Sequence, residues 1–386
     1  MTSLGWAVVA AAPWVLLPPL AMLRMLRSRS LAEVSPEPPI PSPLVSVIVP
    51  ARNEARNIER CVRSLLATAY PTVEVIVVDD HSTDSTGELA RKVGQSDDRL
   101  RVIANPDLPN GWFGKQWACA TGADVAQGEL LLFTDADTEH APDLLPRAVN
   151  EMRATNVGLL TVAGRQEMRS FWERLLQPQV FWMLLARYGG TESVNGARRA
   201  EDVIANGQFM LFRREAYFAV GGHAAVRDKV AEDLALAQLF FRTGRGVRLV
   251  RGDDQLSTRM YASLAELVAG WGKNVFAGGV HAMPGGAFGR MIFPIVLPLA
   301  PLLTIFPTLA LCFAIATGRG GSLLLWSMIC VVANLTWWTL IYRGFQQRVW
   351  YAILHPLGAA ALLFIIVRAI IRGRRVGWKG REYVAR

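Results

Sequence analysis

Four stretches of this chain are almost free of charge, and between the first two of them short apolar runs alternate with helix-patterned segments. Residues 5–23, GWAVVAAAPWVLLPPLAML, contain no charged side chain, and about twenty apolar residues suffice to cross a bilayer. Three more apolar runs lie at about 291–316, 323–342 and 351–371. Arg24, Arg27 and Arg29 follow the first run instead of preceding it. A cleaved signal would carry its basic residues first, so this run reads as a retained anchor with its N-terminus outside and residue 24 onward in the cytoplasm.

Between the anchor and the C-terminal runs, LVSVIVP (44–50), VEVIVVDD (73–80), LRVIAN (100–105) and ELLLFTD (129–135) are short, apolar and mostly β-branched. Helical segments through NEARNIERCVRSLLA, HSTDSTGELARKV and KQWACATGADVA separate them. Strands apolar on both faces, alternating with helices, predict an α/β domain with a Rossmann-like, mostly parallel sheet. Ligands of such sheets sit beyond the carboxyl ends of the strands, where Asp79, Asp80, Asp135 and Asp137 fall. Ahead of the first strand, VSPEPPIPSPL is proline-dense and reads as an extended spacer.

The second half is less regular. FWERLLQPQVFWMLLARY (171–188) is rich in aromatic and aliphatic side chains but contains Pro178, and suits a membrane-surface helix or a core helix equally. In SLAELVAGWGKNVF (263–276), Leu264, Leu267, Val268, Trp271 and Val275 share one helical face, as expected of an interfacial segment. The predicted organisation is an anchor at 1–30, a Pro-rich linker at 31–43 and a catalytic domain at 44–260. An amphipathic interfacial segment at 261–290, a transmembrane region at 291–371 and a basic cytoplasmic tail at 372–386 complete it.

Composition and charge sharpen this picture. The 386 residues are 52% hydrophobic with a mean hydropathy of +0.25, and the excess is concentrated at the two ends. The net charge of +9 gathers beside the apolar runs and in the tail IRGRRVGWKGREYVAR. That distribution suits anionic lipid headgroups and argues against nucleic acid. Four full crossings would leave the tail outside, against its seven Arg and Lys from Arg368 onward. One run must therefore fail to span, and the proline-interrupted 291–316 is the expected one. The four cysteines form no CxxC or Cys/His pattern, which excludes a zinc site or disulfide framework.

Candidate chemistry centres on LLLFTDADTEH (130–140). Residues i and i+2 of an extended segment point to one side, so Asp135 and Asp137 can share a target such as a metal–diphosphate, Mg²⁺ being content with one or two carboxylates plus phosphate oxygens. By itself this pair is better read as a solvated turn with helix-capping acids. In order, however, VSVIVPARNEARNIERCVRSLL, VEVIVVDDHSTDST, LLLFTDADT, NGQFMLFRREAYFAVGGH (206–223) and AEDLALAQLFFRTG (231–244) resemble the family 2 glycosyltransferases. GWFGKQWACATGADVAQGELLLFTDADT and the late GWGKN are most similar to members that glycosylate polyisoprenoid lipids, carotenoid acids and hopanoids among them.

The resemblance implies a GT-A fold and a set of roles. Pro50, Ala51, Arg52, Asn53 and Glu54 would hold the base and ribose, and Asp79 and Asp80 would contact the nucleoside. Lys115 and Asp135 would meet the diphosphate, and Asp137 with Asp135 would bind Mg²⁺ or Mn²⁺. Glu232 and Asp233 match the acid pair that supplies the base of inverting members. Family members that build polymers carry a Gln/Arg-x-x-Arg-Trp motif, whereas this chain reads AGWGKN, so Trp271 and Lys273 are offered as acceptor and diphosphate groups. WKGREY (378–383) is similar to a tail sequence of lipid glycosyltransferases. The expected protein is a multi-pass enzyme of a bacterial-type inner membrane, its catalytic domain cytoplasmic. It would move one sugar from a UDP-sugar to a lipid or polyisoprenoid. A processive exopolysaccharide synthase and a non-catalytic scaffold are the alternatives.

Overall fold

Alternation along the first strand organises the centre of the molecule. In β1 (Val45–Ala51), Val45, Val47 and Val49 join one apolar cluster while Ile48 joins another, and all four are fully buried. A period of two with both faces apolar is what a sheet covered by helices on each side demands. The computed structural model describes residues 3–283, 286–373, 375–378 and 381–384. Its chain divides into two units, a helical one comprising Met1–Arg27, Met168–Gly190 and Tyr261–Gly373, and a sheet unit comprising Ser28–Glu167, Thr191–Met260 and Arg374–Arg386.

The helical unit contains α1 (Ser3–Met25), α6 (Phe171–Tyr188), α10 (Leu264–Ala282), α11 (Gly286–Val296), α12 (Leu299–Ala316), α13 (Ser322–Gly344) and α14 (His355–Arg372). Four segments are long and apolar enough to cross a membrane: Gly5–Met25, Gly286–Ala316, Ser322–Gly344 and Val349–Arg372. The second is divided by a turn at Leu297 and Pro298, where proline lacks the N–H that would continue the helical ladder. Trp14 of α1 donates its indole N–H to the Leu303 carbonyl of α12 (2.7 Å) and meets Trp326 of α13 edge-on. α6 starts with a reciprocal capping box between Ser170 and Glu173, and Pro178 does not break it. The Tyr342 hydroxyl, near the end of α13, donates to the Leu175 carbonyl of α6 (3.2 Å).

Eight strands of the sheet unit form one sheet. After β1 come β2 (Val73–Asp79), β3 (Leu100–Ala104), β4 (Leu130–Phe133), β5 (Thr138–His140), β6 (Leu159–Gln166), β7 (Met210–Arg213) and β8 (Val247–Thr258). Their order is β3-β2-β1-β4-β7-β6-β8-β5. β3, β2, β1 and β4 are mutually parallel, β7 is antiparallel to β4 and β6, and β6 and β8 are parallel again. The chain winds outward from β1 through β2 and β3, then returns to add β4 on the other side of β1. This reversal opens a crevice at the carboxyl ends of β1 and β4.

One face is covered by α2 (Ile58–Leu66), α3 (Thr86–Gly94) and α5 (Leu144–Thr155), the other by α4 (Gly114–Val125), α8 (Arg214–Ala219) and α9 (Glu232–Arg242). α7 (Thr191–Asn195) follows the return of the chain from α6. α4 lies close on β1 because of Gly122, where an added Cβ would fall 2.5 Å from Ile48 Cγ2.

Three boundaries differ from those expected. The 31–43 linker belongs to the sheet unit: Leu31 is fully buried, and the Arg147 guanidinium donates to the carbonyls of Leu31, Ala32 and Val34. Residues 168–190, expected inside the catalytic domain, belong to the helical unit. The basic tail adds a structure that the sequence did not predict: β9 (Arg375–Trp378) and β10 (Arg381–Val384) pair as an antiparallel hairpin grouped with the sheet unit. Lys379 and Gly380 of the WKGREY sequence lie outside the described residues.

Candidate active site

Register aligns the first part of the site. Ala51 pairs with Asp79, and Asp79 with Ala104, so the residues that follow, Arg52, Asp80 and Asn105, form one row across three strand ends. Arg52 Nη1 donates to the Asp80 carbonyl and lies 3.7 Å from Asp80 Oδ2. Asn105 Nδ2 donates to Asp80 Oδ1 (2.9 Å). Asp79 accepts the Ser82 N–H (3.1 Å), which tightens the turn after β2. The loop after β1 is organised by Asn53, whose backbone is left-handed (φ 53°), a conformation asparagine tolerates. Its N–H donates to Ser82 Oγ and its Oδ1 accepts the Thr83 N–H. Pro50 and Ala51 end β1, and the Glu54 N–H donates to Thr86 Oγ1 (2.7 Å). Ser82 and Asp84 tie the two loops together, Ser82 Oγ accepting the Asn53 N–H and Asp84 the Ala55 N–H, while Asp84 also accepts the Thr86 N–H at the start of α3.

The second part is acidic and is crossed by one cation. Lys115, in the first turn of α4, places its Nζ 2.7 Å from Asp135 Oδ1 and 2.7 Å from Glu232 Oε1. Burial works against its charge, yet Asp135 and Glu232 outweigh burial and hold the ammonium well above the usual lysine range. Backbone ties bring the starts of α4 and α9 together: the Phe113 N–H donates to the Arg227 carbonyl, and Gln116 Nε2 to that of Lys229.

Asp135 and Asp137 flank a turn and not a straight strand end, since β4 stops at Phe133 and residues 136–137 reverse the chain. Below this turn the Thr134 hydroxyl donates to the Gln208 carbonyl (2.7 Å) and lies 3.0 Å from both Thr138 Oγ1 and His140 Nε2. Burial pushes His140 down to about 3, so it contributes a neutral ring. Asp137 is pushed up to about 7, by burial first and then by the carboxylates of Asp135 and Glu54, against the pull of Lys115. Its Oδ1 is buried and has no hydrogen-bond partner.

Asp233 begins α9 beside Glu232. Its Oδ2 accepts the Gly207 N–H (3.1 Å), and its Oδ1 the Leu234 N–H (2.7 Å). A Cβ on Gly207 would lie 3.2 Å from Asp233 Oδ2, so glycine is what lets the backbone come this close. Burial, reinforced by Glu232, raises Asp233 to about 6, with Lys115 and the two N–H groups opposing. Nearby His223 is driven down to about 3 by burial and shares a hydrogen bond with the Tyr217 hydroxyl (2.8 Å), which marks it as structural.

The donor set suits a divalent cation carried in with a diphosphate. Asp137 offers an unsatisfied carboxylate oxygen and Asp135 a second acid, while among the described residues no three His, Cys, Asp or Glu side chains cluster to hold a metal by themselves. Mg²⁺ and Mn²⁺ accept such a partial shell and complete it with phosphate and water oxygens. Trp271 and Lys273 lie on α10 of the helical unit. Trp271 is buried there against Phe181 and Tyr261 rather than presented as an open platform.

Sequence reasoning did not single out Asn105, Gly207, Arg60 or Arg381. Arg60 Nη2 donates to the Asp137 carbonyl (3.4 Å), and its guanidinium pairs with Glu139 and Glu167. Arg381 Nη1 donates to Asp80 Oδ2 at 2.6 Å. The signal available for Asn105 was its position immediately after a strand; for Arg381 it was the WKGREY similarity.

Comparisons with known proteins bear on family and fold. Residues 46–221 match the glycosyl transferase family 2 model. The 4,4'-diaponeurosporenoate glycosyltransferase of Staphylococcus aureus (strain USA300) is 27% identical over 354 residues, covering 88% of each chain. The protein of the same name from Staphylococcus haemolyticus (strain JCSC1435) is 27% identical over 270 residues, 69% of each. Among solved structures, a mannosyltransferase from Pyrobaculum calidifontis in complex with GDP-Man and Mn²⁺ superposes with a TM-score of 0.56 at 21% identity, over 96% of this chain and 98% of that one. The fold is GT-A.

Proposed function

We propose, from the premise that this chain is a glycosyltransferase carrying a family 2 domain over residues 46–221, that it transfers a single sugar to a membrane lipid. The donor is a UDP-sugar, the acceptor a hydroxyl or carboxyl group of a lipid or polyisoprenoid, and the anomeric centre is inverted. The observation that carries this reading is the cluster at the sheet's reversal point, where Lys115 bridges Asp135 and Glu232 while burial raises the carboxyls of Asp137 and Asp233 above the usual carboxylate range. The S. aureus and S. haemolyticus relatives are named for 4,4'-diaponeurosporenoate, which supports an apolar acceptor with a carboxylate.

In this scheme Asp233 accepts the proton of an acceptor hydroxyl as its oxygen bonds to the anomeric carbon. The bond from that carbon to the diphosphate breaks, and the nucleoside diphosphate leaves with the electron pair. Glu232 keeps Lys115 oriented, and Lys115 meets the leaving oxygens as a point charge. Held by Asp137 and Asp135, Mg²⁺ or Mn²⁺ would supply charge neutralisation for the leaving group.

The N-terminus is read as outside because Arg24, Arg27 and Arg29 follow the first apolar run, and the seven Arg and Lys from Arg368 onward keep the tail on the cytoplasmic side, so one of the four apolar segments does not span. α14 suits that role better than the 291–316 run, because its burial is one-sided, with Leu357, Phe364, Val367 and Ile371 exposed and Leu362, Ile365, Ile366 and Ala369 buried.

Mass spectrometry of lipid extracts from cells with and without the gene tests the reading. A hexosylated apolar lipid that disappears with the gene is the expected result. Unchanged lipids together with altered extracellular polymer would refute it.

A further inference from the structure

The C-terminal hairpin reaches back across almost the whole sequence to one carboxylate. Arg381 Nη1 donates to Asp80 Oδ2 at 2.6 Å across a separation of 301 residues. Asp80 is only 1% exposed, and Arg52, Asn105 and Arg381 surround its oxygens. With the hairpin in this position Asp80 is a buried anchor and does not itself face a ligand.

The row leaves one polar atom unsatisfied. Because a carboxylate only accepts, the Asn105 atom facing Asp80 Oδ1 must be its Nδ2. The amide is thereby oriented, and its Oδ1 is turned away, buried and without a hydrogen-bond partner. Asn105 is only 3% exposed, and a buried acceptor of this kind takes its donor from an ordered water or from a bound group. Two guanidinium groups, Arg52 and Arg381, lie at the same carboxylate and supply N–H donors in the same neighbourhood. A ligand edge that combines one N–H with carbonyl oxygens matches this set. The imide edge of uracil has that pattern, whereas cytosine presents an acceptor ring nitrogen at the corresponding position.

We propose that the hairpin is a strap that completes the donor-nucleoside site: Arg381 is a positioning residue acting through Asp80, and Asn105 Oδ1 accepts the imide N–H of a uracil base. This rests on the nucleotide-sugar reading of the site and assigns the base it reads. It also gives the segment after the last apolar helix a task in donor binding, so that a chain lacking its last residues would be impaired in the donor half of the reaction.

The test uses full-length protein in nanodiscs with Mn²⁺. Wild-type binding of UDP, GDP and CDP and transfer from nucleotide-sugars are measured first, and failure to bind or use any nucleotide-sugar there defeats the glycosyl-transfer reading itself. Given binding, UDP is expected to be preferred to CDP by about tenfold or more, the scale of one charge-assisted or specific hydrogen bond. Arg381→Ala is expected to raise the donor KM and the UDP Kd about tenfold while the acceptor KM is unchanged, and Arg381→Lys to recover part of the loss. Asn105→Ala is expected to bring UDP and CDP to near-equal affinity. A donor KM within twofold of wild type in Arg381→Ala, whether or not the unfolding temperature falls, overturns the positioning role. Equal wild-type affinity for UDP and CDP, or tighter binding of GDP, overturns the base assignment.

Discussion

Replacing Asp233 by asparagine separates the chemistry of this site from its architecture. Asparagine keeps the size and one acceptor for the N–H groups of Gly207 and Leu234 but cannot take a proton. Burial and the Glu232 carboxylate raise Asp233 to about 6, so the base is ionised in about nine-tenths of molecules at pH 7 and about one-tenth at pH 5. For a hydroxyl acceptor, kcat/KM should therefore fall nearly tenfold between pH 7 and pH 5, and this profile reports the free enzyme. Asp233→Asn should then lose about 10²–10⁴-fold in kcat, the usual worth of a general base, and its residual activity should lack the acid limb. With a carboxylate acceptor the attacking oxygen is already ionised, and the same variant should lose less than about tenfold. Glu232→Gln gives a second handle, because removing the neighbouring negative charge moves the acid limb to lower pH. The assay is initial-rate transfer of radiolabelled sugar to lipid across pH 4.5–8.5 at saturating Mn²⁺. An Asp233→Asn enzyme with wild-type kcat on a hydroxyl acceptor, or one that keeps the same acid limb, would refute the assignment.

Other expectations follow from the same geometry. In chelator, Asp137→Asn should raise the unfolding temperature at pH 8 and change it little at pH 4, and it should abolish stabilisation by Mn²⁺ with UDP. The sign follows from folding, which lifts this carboxyl from 3.8 to about 7, so the native state loses stability as pH rises through that window; a variant less stable than wild type at pH 8 would contradict it. Lys115→Met leaves Asp135 and Glu232 without their shared cation, and should cost transfer about 10²-fold or more, read as kcat at saturating donor. Gly122→Val should lower stability by about 1–3 kcal/mol through overpacking against Ile48, measured by thermal unfolding. Reporters fused after residues 30, 346 and 386 should sit in the cytoplasm and one inserted at 320 outside; an external signal at 386 would remove the interfacial assignment of α14.

The parts of this fold that could be read from sequence are those in which neighbours along the chain decide the outcome. Val45, Val47 and Val49 against Ile48 show in a few residues that both faces of β1 are covered. Asp79 and Asp135 could be assigned to strand ends because the apolar runs stop there. The DAD turn was less legible: two-residue spacing suggested an extended pair, but the buried Thr134–Thr138–His140 network reverses the chain between the acids. No local pattern announces that network, since its partners are ordinary polar residues whose burial depends on β7 and the 206–208 loop. Gly207 is similar, being informative only once Asp233 is known to lie against its N–H.

Long-range closure was the least legible of all, and it bears most on how the protein works. Composition put the 168–190 segment within the catalytic domain, its helix suiting membrane surface or core, and the basic tail beside lipid headgroups, whereas the first groups with the apolar helices and the second with the sheet. Composition is silent here because apolar residues suit a domain core and a bilayer surface equally, and basic residues suit solvent, lipid headgroups and a buried aspartate alike. What separates these possibilities is a partner distant in sequence: Arg381 reaches Asp80 across 301 residues, and neither end of that contact carries a local signature of the other. A buried carboxylate left without a partner is costly, and whether Asp80 is buried depends on which strand ends close over it, not on the residues beside Arg381 in the chain.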